Sequence, residues 1–119
     1  MSSRSTEEVF LDHLERAQRG DVEGDIQRNF SSDCVLLTTY GTFRGHGGIR
    51  EAARLLERQL GPDARYEYRT QTWDGEVAFL EWTADTARAT VPDGADSFLI
   101  RDGKILAVTI HYSVQAREG

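Results

Sequence analysis

Two side chains in this sequence are placed to move protons, His13 and Asp96. Asp96 alternates in phase with Phe98 and Ile100, so a strand there turns a carboxylate to the same face as two core residues. Unpaired burial of a carboxylate is costly. Asp96 therefore lies past the strand end in solvated loop, or it is a pocket acid with a raised pKa, suited to proton transfer or to donating a hydrogen bond. His13 follows Val9 by four residues and Phe10 by three, at the edge of a helical apolar stripe. It reads either as a satisfied core histidine or, beside a carboxylate, as half of an acid–base pair.

Other chemistries find less support. Cys34 is the only cysteine, which leaves no internal disulfide and no thiolate metal cluster. His13, His46 and His111 lack metal-ligand spacing, and neither a P-loop nor a dinucleotide fingerprint occurs, so no metal and no cofactor is expected. Phe43-Arg44-Gly45-His46-Gly47-Gly48 is either an anion cradle or a tight connection capping the helix that follows. The formal net charge of −6, with both signs interspersed, argues against a nucleic-acid partner. No stretch approaches the roughly 20 apolar residues of a membrane span, and the N-terminus lacks a signal-peptide core. The expectation is a cytoplasmic protein with no membrane partner.

The elements that must position these residues come in two kinds. Ser5 and Glu8 have capping-box spacing, and Phe10, Leu14 and Ala17 continue as a first helix that Gly20 ends. Asp21 caps a short second helix with Val22, Ile26 and Phe30 on one stripe, broken by Ser31, Ser32 and Asp33. Residues 34–39 read as a strand, 41–48 as a glycine-rich loop, and Ile49, Ala52, Ala53, Leu56 and Leu60 as a third helix ending at Gly61-Pro62. Beyond it, the turn signals Asp74-Gly75, Pro92-Asp93-Gly94 and Asp102-Gly103 separate four β-runs over 65–73, 76–88, 95–101 and 104–114. Helices followed by a meander predict an α+β fold in one domain over residues 5–115, with 1–4 and 116–119 as flexible termini.

One sheet face must cover the helices; the other meets solvent or a second subunit. In the last run Leu106, Val108, Ile110, Tyr112 and Val114 point inward, and His111 points out, in a structural or interfacial role or, alternatively, a catalytic one. The run 76–88 is apolar on both faces. Glu81 facing inward becomes a third pocket acid, and outward gives way to Trp82 as a wall. Tyr40, Phe79, Tyr112 and either Tyr68 or Trp82 supply the apolar wall, with Phe98, Val108 and Ile110 behind it.

Three segments together resemble the SnoaL-like and ketosteroid-isomerase branch of the nuclear-transport-factor-2-like superfamily. They are Ala17-Gln18-Arg19-Gly20-Asp21, the run Gly41 to Glu51, and the run Asp96 to Ile105; the likeness extends from about residue 6 to 114. It implies a cone-shaped, strongly curved, mostly antiparallel sheet with three N-terminal helices, the cystatin-like α+β barrel. It further implies that Asp96 stands where the isomerases keep a protonated aspartate and that His13 stands where they keep an oxyanion-hole tyrosine. That puts the two side by side. Thr38 falls on the position of the isomerase base and cannot act as one, so the likeness stops short of a true ketosteroid isomerase. It favours Glu81 inward.

The expected function is cofactor-free acid–base chemistry of isomerase, cyclase, dehydratase or hydrolase type on a small apolar molecule. His13 and Asp96 are the catalytic pair, and Thr38, Tyr40, Phe79, Glu81, Phe98, Val108, Ile110 and Tyr112 line the substrate. The other reading is a non-catalytic ligand-binding or dimerisation module of the same fold. A homodimer is expected through the outer sheet face, using Leu80 or Phe79 with Ala107 and Thr109.

Overall fold

A computed structural model describes residues 3–117 of the chain. Its elements run α1 (Thr6–Gln18), α2 (Val22–Asn29), β1 (Phe30–Thr38), β2 (Gly41–Arg44), α3 (Gly45–Leu60), β3 (Arg65–Asp74), β4 (Val77–Asp85), β5 (Ala89–Arg101), β6 (Lys104–His111) and β7 (Gln115–Ala116). The sheet has the order β2-β1-β6-β5-β4-β3, with β7 beside β5; β1 and β6 are parallel and every other pair is antiparallel. This is the expected α+β architecture with three helices on a curved sheet. The strands do not close into a barrel, because β2 and β3 remain as edges. None of the helices is long and apolar enough to cross a membrane, among the described residues.

Helix α1 begins as its sequence dictates. The Ser5 hydroxyl accepts from the Glu8 backbone N–H, and the Glu8 carboxylate accepts from that of Ser5. Its face of Val9, Phe10 and Leu14 is buried against the sheet, where each large apolar side chain contributes about 1.5–3 kcal/mol. Gly20 reverses the chain, and Asp21 accepts from the Gly24 N–H to start α2 antiparallel to α1.

Four expectations about the elements change. The second helix buries Asp25, Ile26 and Asn29 rather than the stripe through Val22, which is exposed. Ser31-Ser32-Asp33 is not a break: strand β1 starts at Phe30 and absorbs the polar residues in a bulge against β6. The glycine-rich stretch is not loop, because Gly41–Arg44 pairs with β1 and Gly45 opens α3 directly. Gly45 makes this possible at φ 68, a left-handed conformation that lets strand turn into helix without a linker. Pro92-Asp93-Gly94 is not a turn: Pro92 and Asp93 bulge out of the long strand β5 opposite Thr83, and Gly94 pairs with Trp82.

The termini are tied where they are described. Arg4 donates to Asn29 Oδ1 and to the carbonyls of Arg28 and Gly103. Gln115–Ala116 pairs with β5, and Arg117 donates to the Thr86 carbonyl. Residues 1, 2, 118 and 119 of the expected flexible ends lie outside the described residues.

Strand register decides what faces the helices. Thr38, Ile110, Asp96, Leu80 and Gln71 are successive partners across one row. Leu36, Val108, Phe98, Ala78 and Trp73 form the next row on the same face. A bulge at Leu106 puts Ile105, not Leu106, fully inside, while Val108 and Tyr112 keep their expected burial.

Candidate functional site

Asp96 lies mid-strand on the inward face, not in solvated loop. Its Oδ1 accepts from the Trp82 indole N–H at 2.9 Å. That contact depends on Gly94, the cross-strand partner of Trp82: a Cβ there would fall 2.2 Å from the indole. The missing side chain lets the ring lie against the backbone and reach Asp96. Burial raises the Asp96 carboxyl to about 6, against the opposing pull of the Trp82 hydrogen bond and of His13.

His13 sits on α1 over the same interior, its ring edge-on to Phe30 and Phe98 at centroid distances of 5.5 and 5.3 Å. Its Nδ1 meets Asp25 Oδ2 at 2.7 Å, with 15% of the His13 side chain and 8% of the Asp25 side chain exposed. Asp25 accepts at its other oxygen from Asn29 Nδ2, and Asn29 also donates to Asp12 and accepts from Arg4. Burial disfavours the imidazolium, but the Asp25 carboxylate, with Asp96 and Asp12 farther off, outweighs it and holds the His13 pKa above the ordinary value. A histidine fixed through Nδ1 by a carboxylate presents Nε2 as its working atom.

The expected direct pairing of His13 with Asp96 is not what forms. His13 bonds Asp25, Asp96 bonds Trp82, and the two interact only through their charges. Three polar atoms are left over: His13 Nε2, Asp96 Oδ2 and the Tyr68 hydroxyl make no hydrogen bond among the described residues. Among those residues no buried side-chain nitrogen or oxygen lacks a partner, so these three atoms must touch accessible space.

The remaining expected site residues divide. Phe98, Val108, Ile110 and Tyr112 face inward with Asp96. Thr38 faces inward too, but its hydroxyl donates to the Gly41 carbonyl and accepts from the Tyr40 N–H, closing the β1–β2 turn. Tyr40 is exposed at the rim and stacks on Tyr112, whose hydroxyl donates to Gln59 at 2.6 Å. Burial, with Tyr40, Tyr66 and Asp96 nearby, pushes the Tyr112 phenol up to about 12. Phe79 and Glu81 must be removed from the wall: they lie on the outer face, opposite Ser97 and Ala95, and Trp82 takes the inward place. His111 is on the outer face as expected, 3.5 Å from Asp93.

Asp25 and Asn29 were not legible as site residues. A signal was present in their i,i+4 spacing on either side of Ile26, which marks a linked polar pair beside a buried apolar residue. The sequence segment at Phe43 to Gly48 serves as connection, with His46 Nε2 at 2.9 Å from the Phe30 carbonyl. Groups of three histidine, cysteine or carboxylate side chains suited to a metal do not occur among the described residues.

Two surface clefts flank the interior. One, of about 500 Å³, lies between Arg4, the end of α2 and the β5–β6 turn. The other, of about 460 Å³, lies between α1 and β3. Neither is lined by His13 or Asp96 themselves.

Comparison with known proteins follows the geometry. A family model described as a SnoaL-like domain matches residues 10–108. No curated protein matches the sequence significantly. Among solved structures, the protein TerC co-crystallized with polyporic acid is similar at 24% identity over 91% of each chain, with a TM-score of 0.72. A proposed polyketide cyclase from Sinorhizobium meliloti is similar at 18% identity over 87% of this chain and 93% of its own, with a TM-score of 0.72. An NTF-2 like protein of unknown function from Burkholderia xenovorans is similar at 16% identity over 96% and 87%, with a TM-score of 0.74. At these identities the likeness speaks for the fold.

Proposed function

Because the chain belongs to the SnoaL-like domain family, we propose that it is a small-molecule enzyme whose acid–base chemistry needs no cofactor. The observation that carries this reading is that two unlike groups, each fixed by its own partner, keep one atom unbonded on the apolar inward side of the sheet. His13 is locked by Asp25 with Nε2 unbonded, and Asp96 is tethered by one oxygen with the other unbonded. Their environments push them in a useful combination. The Asp25 carboxylate favours the charged form of His13 against its burial, and burial raises the Asp96 carboxyl to about 6.

The natural reaction is removal of a proton from carbon next to a carbonyl. Asp96 Oδ2 takes the proton, and the electron pair moves onto the carbonyl oxygen as an enolate. His13 Nε2–H donates to that oxygen and stabilises the developing charge. Returning the proton elsewhere gives isomerisation; attack of the enolate on a second carbonyl gives cyclisation. Phe98, Val108, Ile110 and Tyr112 form an apolar wall suited to a small, mostly apolar substrate. A protein similar in fold was co-crystallized with polyporic acid, which supports a small molecule as the ligand. The test is α-hydrogen exchange of a neutral aromatic ketone in heavy water, with and without the His13 and Asp96 side chains.

A second reading is favoured by a specific observation. The Thr38 hydroxyl is consumed by a turn and neither cleft is lined by His13 or Asp96. A module that binds a ligand, without chemistry, fits this equally; it predicts ketone binding without exchange.

The outer sheet face supports a homodimer as part of the same proposal. Val35, Ala107, Leu99 and Val77 form one row there, beside Leu37 and Phe79, with Leu37 49% and Val77 54% exposed. Leu80, considered for this role from sequence, is buried on the inner face. Sedimentation should give a dimer at micromolar concentration that Val77→Glu converts to monomer; a wild-type monomer removes this part.

A further inference from the structure

The cleft between α1 and β3 is lined by Leu11, Leu14 and Glu15 from the helix and by Glu67, Tyr68 and Gln71 from the strand. Contact between the two elements is sparse along this seam. It is pinned at one end by the Thr6 hydroxyl donating to the Gly75 carbonyl, and at the other by Gln18 Nε2 donating to the Tyr66 carbonyl.

The floor of the cleft is one side chain away from the proton-handling groups. Tyr68 is the cross-strand partner of Trp82, the residue that holds Asp96. Gln71 is the partner of Leu80, and Leu80 is the partner of Asp96 itself. The Tyr68 phenol is largely buried, and its hydroxyl makes no hydrogen bond among the described residues while still touching accessible space. A hydroxyl that has no partner in the fold and still reaches accessible space is free to donate to a ligand.

We propose that this cleft is the ligand's way into the interior, and that the Tyr68 hydroxyl donates a hydrogen bond to the oxygen of a neutral aromatic ketone seated there. The proposal rests on the acid–base reading above for the identity of the ligand as a carbonyl compound. The Tyr68 hydroxyl selects the class; Glu15 and Glu67 at the rim are each ion-paired, with Arg19 and Arg69, and do not. Burial, with Tyr66, Asp96 and Asp25 nearby, keeps the phenol protonated throughout the physiological range, so it acts as a donor and the ligand atom facing it is an acceptor. Leu11, Leu14 and the Tyr66 and Tyr68 rings accept the flat apolar body.

Prodan, a neutral naphthyl ketone whose emission moves to the blue in apolar surroundings and to the red when its carbonyl accepts a hydrogen bond, is the probe. Wild-type protein is expected to bind it with a blue-shifted emission. Gln71→Trp, a change at an exposed rim position that leaves the core alone, fills the mouth and weakens binding by about tenfold or more. Tyr68→Phe keeps the shape and removes the donor, weakening binding by about 3- to 10-fold and moving the bound emission further to the blue.

Absence of prodan binding by the wild type, binding indifferent to Gln71→Trp, or a bound emission unchanged by Tyr68→Phe each overturns the proposal. A catalytic failure looks different. If prodan binds as described while ketone exchange is absent, the acid–base reading falls and the cleft stands.

Discussion

Replacing Asp25 by asparagine is expected to destabilise the protein by about 2–4 kcal/mol at pH near 5.5, and by clearly less near pH 9. Both Asp25 oxygens accept, one at His13 Nδ1 and one from Asn29 Nδ2. An asparagine offers one acceptor and one donor, so either its amide faces the Asn29 amide or the His13 contact is lost. The site is buried, which leaves no water to repair the loss. The pH dependence follows from the direction of the His13 shift. Its folded pKa lies above 6.5, so its contribution is fully present below 6.5 and fades as pH rises through the folded value. Asp25→Asn removes that contribution and flattens this part of the profile. Urea unfolding at the two pH values reads it. Equal losses at both would mean that His13 is neutral in the fold and that Asp25 only orients it.

Asp96→Asn is expected to act in the opposite sense on stability, raising it by on the order of 2 kcal/mol near pH 8, while lowering the proposed exchange activity by on the order of 10²-fold or more. The folded carboxyl titrates at about 6 against 3.8 for the free group. Above pH 6 the fold carries the full cost of an ionised Asp96; below 3.8 both states are protonated and the cost is absent. An asparagine keeps the oxygen that accepts from Trp82 Nε1 and drops the charge. Its advantage should therefore shrink between pH 8 and pH 4. Partial access of Asp96 to solvent keeps the gain below the full value of the shift. If Asp96→Asn destabilises at pH 8 instead, Asp96 is a structural counter-ion for His13, and its strain is not a functional reserve.

Together the two substitutions separate the roles that the sequence had merged. The facing of Asp96 was legible in part: its alternation with Phe98 and Ile100 puts it on their face only if the strand extends to it, and its register with Leu80 and Ile110 decides that it does. The position of His13 at the edge of the α1 stripe was legible from its helical spacing, and Ser5 with Glu8 fixed where that helix starts. The partner of His13 was not. Asp25 reaches it only because Gly20 and Asp21 fold α2 back along α1, with a stripe turned one residue from the apolar pattern of Val22, Ile26 and Phe30. A contact between residues twelve apart in sequence, across two helices, has no periodic signature.

Strand β4 failed for a different reason. Val77 and Phe79 compete with Ala78 and Leu80, so apolar content cannot choose a face. The choice is made across the sheet, where Gly94 leaves room for the Trp82 ring. Pro92-Asp93-Gly94 carries turn chemistry and instead lies inside a strand of 13 residues, with Pro92 and Asp93 as a bulge. Gly45 likewise replaces an expected loop by one residue of left-handed backbone. In each case local propensity was overridden by packing that only the folded sheet contains.

The measurement that reaches the central claim most directly is the rate at which the protein exchanges the α-hydrogens of β-tetralone for deuterium, followed by proton NMR in heavy water. Wild-type protein should accelerate exchange above buffer, with a rate that rises as Asp96 ionises near pH 6. Asp96→Asn and His13→Gln should each reduce it by on the order of 10²-fold or more. Exchange at the buffer rate in the wild type, or at the wild-type rate in both variants, contradicts the account and leaves the fold as a ligand-binding module.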